Sequence, residues 1–97
     1  MGLFDFFTSK GNRAATVSDA ELLTKLKPII VDMIGVDDSE VVLQANLYDD
    51  LGCDELDYHE LLLEIGKKLG YMVPKSEDKN ITTVGNLIGI IKKYNKL

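Results

Sequence analysis

From residue 18 onward, the apolar positions of this 97-residue chain fall into three helical stripes separated by polar punctuation. Ser18-Asp19-Ala20-Glu21 has capping-box spacing, in which the hydroxyl and the carboxylate each satisfy a backbone N–H at a helix start. Leu22, Leu23, Leu26, Ile29, Ile30, Met33 and Ile34 then recur at three- and four-residue intervals and predict one amphipathic helix. Gly35 ends it. Pro28 lies inside this run and lacks an amide donor, so the helix is expected to kink or to split near Lys27.

Residues 36–53 predict a long, partly ordered connection. Val36, Val41, Leu43, Leu47 and Leu51 are available to tuck into a core, and residues 45–49 suit a short helical turn. A second helix is predicted from Glu55 to Leu69, with Leu56, Leu62, Leu63, Ile65 and Leu69 as contacts and with Gly70 and Pro74 closing it. One short turn is expected over residues 76–79. A last helix is predicted from Val84 to Tyr94, capped by Thr82 or Thr83, with Val84, Leu87, Ile88 and Ile91 facing inward. Gly85 and Gly89 are expected to permit close packing and to weaken that helix slightly. The fold class is all-α, with three main helices and a minor one over residues 17–97.

Residues 1–16 read differently. Leu3, Phe4, Phe6 and Phe7 form an apolar cluster that holds all three Phe residues of the chain, and a polar, small-residue linker follows. A helical turn would put Leu3, Phe4 and Phe7 on one side. A flexible extension is expected, and three roles stay open for it: a disordered end, a segment folded back on the bundle, or an anchor to a membrane surface or partner. Phe6 occupies the place where a myristoylation motif needs Ser or Thr.

Composition narrows the class. With 45% hydrophobic and 28% charged residues the chain has an ordinary globular balance, and its length suits one small domain. No apolar run approaches the roughly 18–20 residues of a membrane span, and no signal-peptide layout is present. The single Cys53 allows no intrachain disulfide and suits a reducing cytoplasm. The net charge of −5 conceals a strong asymmetry. Between Pro28 and Gly66 there are eleven acidic residues and no Lys or Arg, whereas residues 67–97 carry a net +5. The central acidic block would repel nucleic acid and attract a basic protein surface. On net charge alone, neutral lipid would be preferred over anionic lipid.

Candidate chemistry is sparse. His59 is the only His, with no ligand set for zinc around it and no Ser or Cys arranged with it as a triad. Scattered carboxylates suit a recognition surface better than an active site. Cys53 reads as structural filler. No enzyme is indicated.

Asp50-Leu51-Gly52-Cys53-Asp54-Glu55-Leu56-Asp57, followed by Glu60-Leu61, resembles the acyl carrier protein family, whose members read acidic-Leu-Gly-x-Asp-Ser-Leu-Asp at this point. Gly35-Val36 and Val41 before it, with Pro74 and Ile81-Thr82-Thr83-Val84 after it, sit at family spacing. The resemblance covers roughly residues 18–94 and implies a four-helix bundle with one short helix. In that family the serine carries 4′-phosphopantetheine; here Glu55 stands in its place and has no hydroxyl to accept the group. The resemblance therefore implies a carrier-family module of fatty-acid or related acyl metabolism that is not loaded at the usual site. Docking residues carried over are Asp54, Glu55, Asp57, His59, Glu60, Leu63 and Glu64, facing a basic partner surface on an acyl-metabolism enzyme. A monomer is expected. Gly66-Lys67-Lys68 departs from the further carboxylates usual in the family, and His59 from its usual aliphatic residue. A genuine carrier with its serine exchanged, and a membrane-associated adaptor anchored by Leu3, Phe4 and Phe7, are the alternatives. Because Glu55 begins a helix, its charge is favourably placed against the macrodipole and matches the single charge of a phosphodiester.

Overall fold

The computed structural model describes residues 17–97. Three helices carry the fold: α1 (Asp19–Ile34), α2 (Glu55–Leu69) and α3 (Val84–Asn95), with 3-10 turns at Asp38–Glu40 and Lys75–Asn80. Among the described residues the only β-type pairing is an isolated antiparallel bridge between Asn46 and Thr83. The expected all-α bundle of three main helices and one short helix is therefore present. The apolar cluster Leu3, Phe4 and Phe7 lies outside the described residues.

Each helix begins where its sequence supplies acceptors for free N–H groups. Ser18 and Glu21 form the reciprocal cap of α1, Asp54 and Asp57 that of α2, and Thr83 and Asn86 that of α3. Gly35 and Gly70 end α1 and α2 with φ of 83° and 74°, a backbone conformation that costs a residue with a Cβ.

Pro28 neither splits α1 nor ends it; the helix runs unbroken from Asp19 to Ile34. Proline forfeits the bond its own N–H would have made and crowds the preceding turn, and it lies on the exposed side. Leu22 and Leu26 before it, with Ile29 and Ile30 after it, are all buried and hold both halves on one core. Burial worth roughly 1.5–3 kcal/mol for each of these side chains outweighs the local cost. Residues 46–52 turn without forming a continuous helix: the Asn46 carbonyl accepts the Asp50 N–H at 3.0 Å, one isolated helical turn as expected, and the Tyr48 carbonyl accepts the Gly52 N–H at 3.2 Å. Here Asn46 Oδ1 accepts from the N–H groups of Tyr48 and Asp49, and Asp50 Oδ2 accepts from Asn46 N–H at 2.7 Å.

One core joins all three helices, and the connection at 36–53 adds Val41, Ala45, Leu47, Leu51 and Cys53 to it. In α2 the inward residues are Tyr58, Leu61 and Ile65. Leu56 and Leu63, expected as core contacts, instead stand 65% and 64% exposed. Seven apart, they share a face two turns long that is rotated away from the buried one. Gly85 does permit close packing: a Cβ there would lie 3.0 Å from the Leu43 carbonyl oxygen. Gly89 does not, since a Cβ there meets nothing within 4 Å.

Helix directions follow from side-chain contacts. Asp32 and Met33 of α1 border a recess with Glu60 and Leu63 of α2, while Lys25 and Pro28 border another with Lys68 and Leu69. Thus α1 and α2 are antiparallel. Asn95 near the end of α3 bonds both backbone groups of Met72, at 2.9 Å each, so α2 and α3 finish at the same end of the bundle.

Candidate functional site

The start of α2 is built by its cap. Asp54 has an extended backbone and its Oδ1 accepts the Asp57 N–H at 2.7 Å, while Asp57 Oδ2 accepts the Asp54 N–H at 3.3 Å. Gly52, with φ of 73°, turns the chain into that cap. Cys53 points inward and its Sγ–H donates to the Asp54 carbonyl at 3.5 Å. Burial first, and then the charges of Asp57 and Asp54, push the thiol pKa up to about 11. A thiolate, the reactive form, is therefore suppressed at this place, in keeping with filler rather than chemistry.

Beyond the cap, Glu55 in the first turn is exposed, and with Asp54, Leu56 and His59 it lines a shallow open recess. Under it lies an aromatic floor. The Tyr58 ring centroid is 6.1 Å from that of Tyr48 and 5.9 Å from that of His59. The Tyr58 hydroxyl and Asp78 Oδ1 are both buried without a hydrogen-bond partner. Burial, followed by the nearby Asp78 charge, raises the Tyr58 pKa far above its ordinary value. The pKa of Tyr48 is raised too, by burial first and then by the charges of Cys53, Asp78 and Glu55. These phenols stay neutral through the physiological range.

The residues carried over as docking candidates divide into two sets. Asp54 and the half-buried Asp57 have their carboxylates engaged in the cap. Glu55, Glu60 and Leu63 are exposed, and His59 and Glu64 are half-buried beside them. Spacings of three and four place these five on one stripe along α2. Glu64 is further engaged, with Lys67 at 3.9 Å and Lys68 at 3.7 Å. The structure adds Leu56 at the top of the stripe, and Asp32 and Met33 of α1 along its side. The seven-residue interval between Leu56 and Leu63 was the available signal for the first; nothing local in the sequence marked the α1 pair.

Charge is sorted by the fold. The start of α2 contributes Asp54, Glu55 and Asp57, with Asp49 and Asp50 just before it in the chain, and the connection also exposes Asp37, Asp38 and Glu40. Lys27 answers Asp38 at 3.6 Å. Among the described residues no group of three or more His, Cys, Asp or Glu side chains is arranged to hold a metal ion. None of the described helices is long and apolar enough to cross a membrane.

A family model described as phosphopantetheine attachment site matches residues 24–91. The acyl carrier protein of Thermotoga maritima is 38% identical over 76 residues, which are 78% of this chain and 94% of that protein. With the helix order and the caps already described, these matches show that the chain belongs to the phosphopantetheine-attachment-site family of acyl carrier proteins, as a carrier-type domain and not an enzyme.

Proposed function

We propose that this domain acts in acyl metabolism as a docking module that does not carry the phosphopantetheine arm at the family's usual position. The observation behind this is the exposed Glu55 carboxylate in the first turn of α2. Attachment joins a phosphoryl group to a hydroxyl oxygen, and a carboxylate side chain offers none. The residue present at this position therefore does not fit the group. The one negative charge of Glu55 matches that of a phosphodiester. A partner that reads charge would thus meet a comparable field without a swinging thiol.

On this reading the partner is an acyl-metabolism enzyme with a basic surface. Glu55 and Glu60 supply the attraction that steers it. Leu56 and Leu63 are the apolar contacts that desolvate on binding, and His59 and Glu64 border them. Asp54 and Asp57 add negative charge while holding the helix start in shape. The domain works as a cytoplasmic monomer, a reading supported by its single buried thiol.

The test is intact mass after incubation with coenzyme A and a broad-specificity phosphopantetheinyl transferase, with Glu55→Ser run alongside. Gain of one arm by Glu55→Ser only is the expected result. Gain by the unaltered chain overturns the reading, because another hydroxyl then serves. Charge reversal by Glu60→Lys is expected to weaken binding to a purified partner enzyme, and unchanged binding removes the docking stripe.

A further inference from the structure

The groove between α1 and α2 is charged in opposite senses at its two ends. We propose that it takes an amphipathic helix of a partner protein, bearing one acidic and one basic side chain about two turns apart. The inference rests on the docking reading above, since Glu60 and Leu63 belong to both, and it adds the partner's secondary structure and charge order. Two recesses make up the groove. One is bordered by Met33 of α1 with Glu60 and Leu63 of α2, the other by Lys25 and Pro28 with Leu69. Asp32 and Lys68 border both, so the two are continuous.

Each wall is one helix face. Lys25, Ile29 and Met33 follow one another at four-residue steps on α1, as do Glu60, Glu64 and Lys68 on α2. Because the helices are antiparallel, the later half of α1 meets the earlier half of α2. Chain order thereby sorts the charge, with Asp32 and Glu60 toward one end and Lys25 and Lys68 toward the other. Apolar surface lies between them: Pro28 and Leu63 are exposed, and Met33 and Leu69 half-buried. Glu64 is taken up by Lys67 and Lys68 at 3.9 and 3.7 Å. Among the described residues, Asp32 and Glu60 make no ion pair, and Lys25 Nζ meets the neutral Tyr71 hydroxyl at 3.5 Å. These three charges are available to a partner.

The spacing selects the occupant. Lys25 and Asp32 are seven residues apart and Glu60 and Lys68 eight, a rise of about 10–12 Å along a helix. A third helix seats between two others by ridges into grooves, and its own residues seven apart share a face at this same rise. An acidic residue against Lys25 and Lys68, with a basic residue two turns later against Asp32 and Glu60, answers both ends. Apolar residues between them cover Leu63 and Pro28. Acid first and base last also suits the helix macrodipole, so the partner helix runs parallel to α1. A uniformly basic helix meets Lys25 and Lys68 with like charge, and a uniformly acidic one meets Asp32 and Glu60.

The test is an NMR titration of the isotope-labelled full chain with synthetic peptides of about 14 residues, long enough to form a helix, that share one apolar face. One peptide carries Glu and then Lys two turns later, a second has Lys at both places, and a third has Glu at both. The mixed peptide is expected to bind tightest, with shifts over residues 25–33 and 60–69. Lys25→Glu/Lys68→Glu should weaken the mixed peptide and strengthen the all-Lys one, each on the order of fivefold. Leu63→Asp should weaken all three, with an unchanged circular dichroism spectrum as the check on folding. Equal binding of the three peptides, binding of none, or shifts confined to residues 54–59 overturns the proposal. So does self-association of the chain that Lys25→Glu/Lys68→Glu removes, which would assign the groove to a second copy. These readouts use neither Glu55 nor an acyl-metabolism enzyme, so their failure leaves the docking stripe to its own Glu60→Lys test.

Discussion

Asp54 and Asp57 cap α2 reciprocally, each carboxylate accepting the other residue's backbone N–H, at 2.7 and 3.3 Å. Two of the acidic residues around Glu55 are thus committed to holding the helix start. Asp54→Ala is expected to destabilise the domain by about 1 kcal/mol through the lost cap. Glu55→Gln should change stability by less than about 1 kcal/mol, since only a helix-dipole interaction is removed. Urea denaturation at neutral pH measures both, and reversed magnitudes would show that Glu55 rather than Asp54 organises the turn.

Cys53 should be inert in the folded protein. With a thiol held up to about 11 and 4% exposure, it is expected to react with an aromatic disulfide reagent at mildly alkaline pH only as the chain unfolds. The linkage has a definite sign. Above the ordinary thiol value of about 8.5 the unfolded chain loses its proton first, so stability falls as pH rises toward the folded value. Cys53→Ala should flatten that alkaline slope, leaving the contribution of Tyr58, which sets in at higher pH.

Acid stability should run through Glu77. Its carboxylate accepts the Tyr94 hydroxyl at 2.5 Å and Asn80 Nδ2 at 2.7 Å, and with Lys93 nearby these hold its pKa below the ordinary value. A lowered carboxyl contributes stability that is present above about pH 4.3 and is lost as pH falls through the folded value. Tyr94→Phe removes the largest cause and should make the protein less sensitive to this pH change, while lowering its stability at neutral pH. Unfolding midpoints across a pH series check the slope.

The two helix glycines of α3 should separate on substitution. Gly89→Ala enters open space and is expected to stabilise by about 0.5–1 kcal/mol from helix propensity. Gly85→Ala sets a methyl 3.0 Å from the Leu43 oxygen that the Gly85 N–H already bonds at 2.8 Å, and should forfeit that gain or reverse it. Thermal unfolding of the two variants side by side gives the comparison.

Helix ends were legible in the sequence because capping is local chemistry. Ser18 with Glu21, and Gly35 and Gly70 as stops, mark α1 and α2 at their observed bounds, and α3 ends one residue past its expected finish. The inward face of α2 was not legible. Leu56, Tyr58, Leu61, Leu62, Leu63 and Ile65 give more apolar positions than one stripe can hold, so periodicity allows two faces. Packing into the shared core selects Tyr58, Leu61 and Ile65, which leaves Leu56 and Leu63 exposed. Pro28 misled for a related reason. Its cost is local and countable, whereas the burial that overrides it is spread over both halves of the helix. The charge blocks were visible along the chain, but only antiparallel packing of α1 against α2 turns them into two ends of one object.

The connection at 36–53 supplies backbone acceptors to the start of α3: the Leu43 carbonyl takes the Gly85 N–H at 2.8 Å and the Ala45 carbonyl takes the Val84 N–H at 3.0 Å. Leu47 N–H in turn donates to the Thr82 carbonyl at 2.8 Å. Opening either segment exposes the amides of the other, so in hydrogen exchange residues 43–47 and 82–85 should behave as one cooperative unit. The long loop is thereby tied to the start of α3, and it holds the Tyr48 ring 6.1 Å from that of Tyr58, the buried residue of the first α2 turns.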